Sequence, residues 1–261
     1  MAQKPFDLIG TAERWLQDAG FIAGFSRAAE READEARQPE TLPDDVIDLT
    51  HLLWSSVDNR ESRDLDQIEV AERLPDGDIR LLVGIADVDA LLVEGGAMEK
   101  RAAANTTSVY GGVLMWPMLH PRLSEQLTSL LEGYSRLAIV TELRVNEDGT
   151  LESSRIFRAK VKNYAKLNYE DTADFLDGDS MPLALEQNPE LAEQIRLQDE
   201  CADRFAALRK KLGALELDTF EATPVMKGGK LVDMTVVRKS QSRALIENVM
   251  IAVNAATVTW L

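Results

Sequence analysis

Apolar residues recur along the chain in two rhythms, one with the 3.6-residue period of a helix and one that alternates as a strand does. Leu8, Ile9, Trp15, Leu16 and Ala19 keep helical spacing up to Gly20, which predicts a short helix and a turn. From 28 to 48 the rhythm fades. Glu30, Glu32, Asp34, Glu35, Glu40, Asp44 and Asp45 crowd around Pro39 and Pro43, and the stretch reads as a solvated helix end or linker. A boundary near Pro43 divides a helical amino-terminal segment with its acidic linker (1–46) from a larger domain (47–261).

Three strand-turn-strand units follow. Strands at 68–74 and 79–85 flank Pro75-Asp76-Gly77-Asp78, strands at 137–145 and 151–157 flank Asn146-Glu147-Asp148-Gly149, and strands at 220–226 and 231–237 flank Lys227-Gly228-Gly229-Lys230. Helical spacing marks 98–104, 124–131, 169–176 and 191–212, and a helix over 240–258 closes the chain. Hairpins alternating with helices predict an α+β fold with a mixed, mainly antiparallel sheet and packed helices. The last helix presents Leu245, Ile246, Val249, Met250, Val253 and Val258 on a face that needs a partner, and Trp260-Leu261 follow without a cap. The domain therefore reads as incomplete at its carboxy terminus.

Composition narrows the function. The 261 residues are 45% hydrophobic and 28% charged, the balance of an ordinary folded domain. Their formal charge of −16 has the wrong sign for blanket attraction to phosphate, so any nucleic-acid function must live in a local site. One cysteine, Cys201, excludes an internal disulfide, and with only His51 and His120 beside it a Cys/His zinc site is unavailable. That usage points to reducing cytoplasm. The amino terminus lacks the pattern of a signal peptide, and the most apolar runs, 81–93 and 245–261, are broken by Asp87, Asp89, Glu247 and Asn254, so no membrane span is expected.

Candidate chemistry concentrates in 56–67, where Asp58, Asp64 and Asp66 fall within nine positions directly before a predicted strand. In an extended backbone Asp64 and Asp66 share a face, and a bend at 59–62 brings Asp58 over them. Three converging carboxylates suit magnesium, and such an ion can clamp a phosphodiester while activating water. A polar loop before a strand is more often a solvated turn, so spacing alone does not choose the metal. Tyr110 and Tyr169 on their own read as core or surface aromatics. Glu247 reads as the polar side of its helix, and His51 and His120 as structural. Cys201, among Asp199, Glu200 and Asp203, reads as an unreactive thiol. Arg204, Arg209, Lys210 and Lys211 read as a solvated helix face, with RNA contact as the alternative.

Asp58-Asn59-x-x-Ser62-x-Asp64-Leu65-Asp66, Ile85-Ala86-Asp87-Val88, Thr107-Ser108-Val109-Tyr110, Pro117-Met118-Leu119 with Arg122-Leu123-Ser124, Lys166-Leu167-Asn168-Tyr169 and Leu245-Ile246-Glu247 resemble, in order, successive blocks of the ribonuclease II/R (RNB) family of exoribonucleases. The likeness runs from about Asp48 to the end. It implies an RNB-type catalytic domain that hydrolyses single-stranded RNA from its 3′ end, one nucleoside 5′-monophosphate at a time, with Mg2+, or Mn2+ in its place. By position, Asp58, Asp64 and Asp66 match the family's catalytic, metal-holding cluster, with Asp66 at the carboxylate on which catalysis depends most. Tyr110 matches an aromatic that packs against the terminal nucleotide; Tyr169 and Glu247 match residues that position the last nucleotides and help tell ribose from deoxyribose.

Two departures accompany the likeness. A fourth Asp usually follows the third, and here Gln67 stands in its place, an oxygen donor without charge. The later blocks, with a phosphate-contacting Arg and a further Glu, would lie beyond Leu261, and the flanking RNA-binding barrels are absent from these residues. The alternatives to an exonuclease are a truncated or degenerate RNB-type protein that binds RNA or a partner protein without cleaving, and a half-domain completed by a second chain.

Overall fold

A computed structural model describes residues 7–39, 41–111, 114–215, 221–227, 230–237 and 239–261. In chain order the elements are α1 (Leu8–Asp18), α2 (Arg27–Glu35), β1 (Ile47–Asp48), β2 (Trp54–Asp58), β3 (Gln67–Arg73), β4 (Ile79–Ala86), α3 (Ala97–Asn105), β5 (Val109–Tyr110), β6 (Met115–Trp116), β7 (Ser135–Val145), β8 (Leu151–Asn168), α4 (Tyr169–Asp177), α5 (Leu183–Glu186), α6 (Pro189–Lys211), β9 (Glu221–Lys227), β10 (Lys230–Val237) and α7 (Gln241–Trp260). Two compact units interleave along the sequence: Met1–Gln38, Val88–Leu127 and Thr219–Arg238 form one, and Pro39–Asp87, Thr128–Asp218 and Lys239–Leu261 the other.

The first unit holds α1, α2, α3, the β5–β6 pair and the β9–β10 hairpin. Part of the expected acidic linker is a helix here. Ser26 caps α2 by accepting from Ala29 N, and Ala29 and Ala33 pack against Met98, Leu119 and Leu123, because alanines give the acidic segment one narrow apolar stripe. Glu32 then caps its neighbour, accepting from Ala97 N and Met98 N at 2.8 Å each, a carboxylate at the positive end of α3. The expected helix at 124–131 is instead a π-helical turn over Arg122–Leu127. Phe220 and the turn residues Gly228 and Gly229 of the third predicted hairpin lie outside the described residues; its strands are β9 and β10, paired antiparallel.

The second unit is built on one sheet in the order β1-β8-β2-β3-β4-β7, with β7 pairing back onto β8. Five strands therefore form a closed ring. The β2–β3, β3–β4, β4–β7 and β7–β8 pairs are antiparallel and β8 runs parallel to β2 and β1, so the expected α+β fold with a mixed, mainly antiparallel sheet is what forms. Trp54, Ile68, Val70, Leu82, Ala138, Val140, Ala159 and Val161 make one core. Gly84 belongs to its wall: a Cβ there would sit 3.3 Å from Ile68 Cγ1 and 3.5 Å from the Trp54 ring. On the opposite face Val57, Ala71, Leu81, Val83, Leu143 and Leu167 pack under residues of α4, α6 and α7, which covers the free apolar face expected of the last helix along Leu245, Ile246, Val249 and Val253. At the β7–β8 turn Gly149 has φ +83°, and a Cβ would fall 2.3 Å from Arg204 O on α6, so only glycine lets the helix approach.

β8 runs eleven residues beyond its expected end, through Ala159, Val161, Ala165 and Leu167, all buried, alternating with lysines. That second half joins β2. Among the described residues no helix is long and apolar enough to cross a membrane.

Candidate active site

Asp58 is the last residue of β2, and its partner in the parallel register is Asn168, the last of β8. Asn168 caps α4 by accepting from Asp171 N at 2.9 Å, so Tyr169, the first residue of that helix, begins beside Asp58. The loop from Asn59 to Asp66 is tied down from several sides. Lys166 Nζ donates to Arg60 O (2.9 Å) and Ser62 O (2.6 Å). Ser129 Oγ donates to Arg63 O (2.6 Å) and accepts from Leu65 N (3.0 Å), and Ala86 N donates to Asp66 O (2.9 Å). Leu65 is buried between the half-buried Asp64 and the exposed Asp66, the alternation expected of an extended segment.

Electrostatics groups these side chains. Although Asp66 is exposed, the surrounding protein removes enough of its hydration to raise its pKa, and the charges of Asp58 and Asp64 raise it further. Glu69, wholly buried on β3, is pushed up to about 8 by burial, with Asp66 and Asp58 adding to it. Neither of its carboxyl oxygens has a hydrogen-bond partner. The Tyr169 hydroxyl is pushed up to about 12, first by burial and then by Asp58, Glu69 and Asp66, against the opposing charge of Arg243. The Arg243 guanidinium lies 4.2 Å from the centre of the Tyr169 ring and donates to Asn59 Oδ1 at 3.0 Å, joining α7 to the carboxylate loop.

The structure thus brings Asp58, Asp64, Asp66 and Tyr169 into one neighbourhood. Gln67 lies at its floor, its Nε2 donating to Val57 O at 3.2 Å. Glu247 sits one turn beyond Arg243 on α7, exposed, 3.5 Å from Lys239 Nζ. Tyr110 is 72% exposed on β5, in the other unit. Sequence reasoning missed Glu69 and Arg243. The signal for Glu69 was a lone carboxylate inside an apolar strand; Arg243, in the first turn of the last helix, gave none.

Among the described residues no three His, Cys, Asp or Glu side chains converge closely enough to hold a metal ion by themselves. Magnesium, however, keeps several waters and commonly takes one or two carboxylates together with substrate phosphate. The hard oxygen donors and the surplus negative charge around the unpartnered Glu69 fit a hydrated divalent cation of that kind, and do not fit a closed protein cage. Elsewhere, burial pushes the Cys201 thiol up to about 12, which keeps it protonated and unreactive. Arg204 departs from the solvated face expected of it, turning inward to Glu200 Oε1 (2.7 Å) and Gly77 O (3.2 Å) because the β3–β4 turn lies under α6.

The RNB domain family profile matches residues 46–261. Exoribonuclease 2 of Escherichia coli (strain UTI89 / UPEC) is 29% identical over 231 residues, which cover 86% of this chain and 35% of that protein. The chain thus spans about a third of the length of the curated relatives it matches. Among solved structures, Mycoplasma genitalium RNase R in complex with ribose-methylated single-stranded RNA superposes with a TM-score of 0.89 at 23% identity, over 97% of this chain and 39% of that one. Yeast Ssd1, a pseudonuclease, shares the fold with a TM-score of 0.69 at 15% identity, over 97% of this chain and 31% of that one.

Proposed function

Because the chain belongs to the RNB domain family, we propose that it carries the acidic centre of an exoribonuclease that hydrolyses single-stranded RNA from the 3′ end with Mg2+ or Mn2+. In this reading residues 47–261 are the first part of an RNB-type catalytic domain and 1–46 a helical lead segment. The observation that carries the proposal is Asp66, crowded by Asp58 and Asp64 beside a Tyr169 ring that Arg243 covers. Water attacks the last phosphodiester, the bond from phosphorus to O3′ breaks, and a nucleoside 5′-monophosphate leaves while the shortened RNA keeps a 3′-hydroxyl.

Asp58, Asp64 and Asp66 would hold the cation together with its waters and the substrate phosphate, with the Gln67 amide as a further oxygen donor. When bound, such a cation supplies positive charge at the phosphate and makes a water acidic enough to attack. Tyr169, held neutral, offers a hydroxyl that both donates and accepts, which suits a ribose 2′-OH; Glu247 serves the same end of the RNA, and Tyr110 packs against the terminal nucleotide. The lone buried thiol of Cys201 supports a reducing, cytoplasmic setting.

The test uses 5′-labelled single-stranded RNA with the 261-residue chain in magnesium, in EDTA, and with Asp66→Asn. A descending ladder in magnesium alone, with RNA still bound by Asp66→Asn, is the expected result; equal cutting by the variant would refute the carboxylate assignment. A second reading, RNA or protein binding without cleavage, is favoured by the neutral Gln67 at the floor of the site. Salt-sensitive RNA binding without products would support it, and a ladder that appears only on adding a second chain would point to a site completed in trans.

A further inference from the structure

β3 is fully paired along one edge only. It lies against β4 from Gln67 to Arg73, whereas its register with β2 holds a single pair, Ser55 opposite Glu69. Before Ser55 the chain turns away: Leu52 N donates to Leu49 O (3.2 Å) and Trp54 N to Leu52 O (3.0 Å), so the turn satisfies its own backbone. A cleft of about 770 Å3 opens where the two segments part, with 51–53 on one side, 70–73 on the other and α6 along it. The Ala71 N–H points into this cleft and meets no strand there. It donates instead to Gln194 Oε1 on α6 at 3.3 Å, longer than the usual ~2.9–3.0 Å. By the alternation of an antiparallel ladder, Arg73 turns its N–H and C=O to the same edge. An open edge is a template for another strand, and here one glutamine side chain stands in for it.

Charge selects the occupant. Arg73 is held by Glu200, and Arg196 lies 4.4 Å from the centre of the Phe175 ring, so the arginines of the cleft are committed. Glu72 is paired with Arg80, and Glu200 with Arg73 and Arg204. Glu190 and Glu193 are exposed, stand three apart on α6 and have no ion pair among the described residues. We propose that this cleft is a docking groove for an extended basic segment of a partner protein, which adds as a strand to β3 at Ala71 and Arg73, displaces Gln194, and sets alternate lysine or arginine side chains against Glu190 and Glu193.

Fluorescence anisotropy of a labelled, alternating lysine–valine heptapeptide on the full chain tests this, beside its glutamate–valine counterpart and its fully N-methylated form, with hydrogen exchange at the Ala71 amide as the local readout. The lysine peptide is expected to bind and to slow exchange at Ala71 about tenfold or more, and the other two to do neither. Glu190→Lys combined with Glu193→Lys is expected to weaken binding about tenfold, since two attractive pairs become repulsive. Gln194→Ala is expected to tighten it, because the incoming backbone no longer competes for Ala71 N. Equal binding of the N-methylated peptide would reduce the contact to bulk charge on an acidic chain, and equal binding by the double lysine variant, or unchanged exchange at Ala71, would place the contact elsewhere. Each of these overturns the proposal, as does a lysine peptide that does not bind. Dimerisation of the peptide-free chain that slows exchange at Ala71 would assign the edge to a second copy instead and overturn it too.

Discussion

Asn163 closes the ring of strands, and replacing it by alanine should cost a large part of the stability of the second unit. The residue is 1% exposed and sits where the β2–β8 register shifts by one residue. Its Nδ2 donates to Leu130 O at 2.7 Å and to Ser56 Oγ at 3.0 Å, and its Oδ1 accepts from Ala165 N at 3.1 Å. All three partners belong to buried residues, so each is left without a bond when the amide is removed. At about 1–3 kcal/mol for each stranded group, and with relaxation recovering some of it, the loss comes to roughly 3–6 kcal/mol. Against a total of about 5–15 kcal/mol for a folded domain, that moves the urea midpoint down by about 1–2 M, taking a slope of ~3 kcal/mol/M. Ser56→Ala, which breaks one bond of the three, should lose about 1 kcal/mol. An unfolding free energy for Asn163→Ala within about 0.5 kcal/mol of the parent's would show that the seam does not depend on this amide.

Two further outcomes follow from other positions. Burial pushes Asp199 up to about 6, with Asp203 and Asp177 adding to it while Gln241 opposes, so the folded state holds this proton more tightly than the unfolded chain does. Stability should rise as pH falls from 6 towards 4 and should be lower by the full amount above 6; Asp199→Asn should flatten that slope in urea melts across pH 4–7, and an unchanged slope would clear Asp199 of the effect. Arg243→Ala removes both the cation over Tyr169 and the bond to Asn59, and should lower kcat/KM on single-stranded RNA about tenfold, the equivalent of ~1.4 kcal/mol; parental kcat/KM would mean that the contact does not order the site.

What could be read from the sequence was local. The turns at Asp76-Gly77 and Asp148-Gly149 announce their hairpins through turn chemistry alone, and Asp58, Asp64 and Asp66 stand out by spacing. The second half of β8 was legible in principle, since Ala159, Val161, Ala165 and Leu167 alternate with Lys160, Lys162 and Lys166, yet its partner is β2, far earlier in the chain, and no local pattern names a partner. β2 itself hides because Ser55 and Ser56 are buried polar residues, tolerated at the seam where Asn163 bonds the second of them. Glu69 escaped for a related reason. Alternation assigns it to a solvent face, but α6 and its neighbours cover that face of the sheet, so both sides of β3 are interior. Arg243 acts across 184 residues of chain, a distance over which spacing carries no information.

The seam between β2 and β8 also sets the order of events as the protein is made. The β3–β4 and β7–β8 hairpins pair neighbouring segments and can form as soon as they emerge, whereas the seam joins Ser56 to Asn163 across 107 residues and is the slow, non-local step. Asp58 meets Tyr169 only after that step, and Arg243 covers the tyrosine later still. On the activity proposed here, a chain that has emerged only as far as Asp66 carries the acidic residues without the assembled centre, so the topology itself withholds the site until β8 and α7 have also been made.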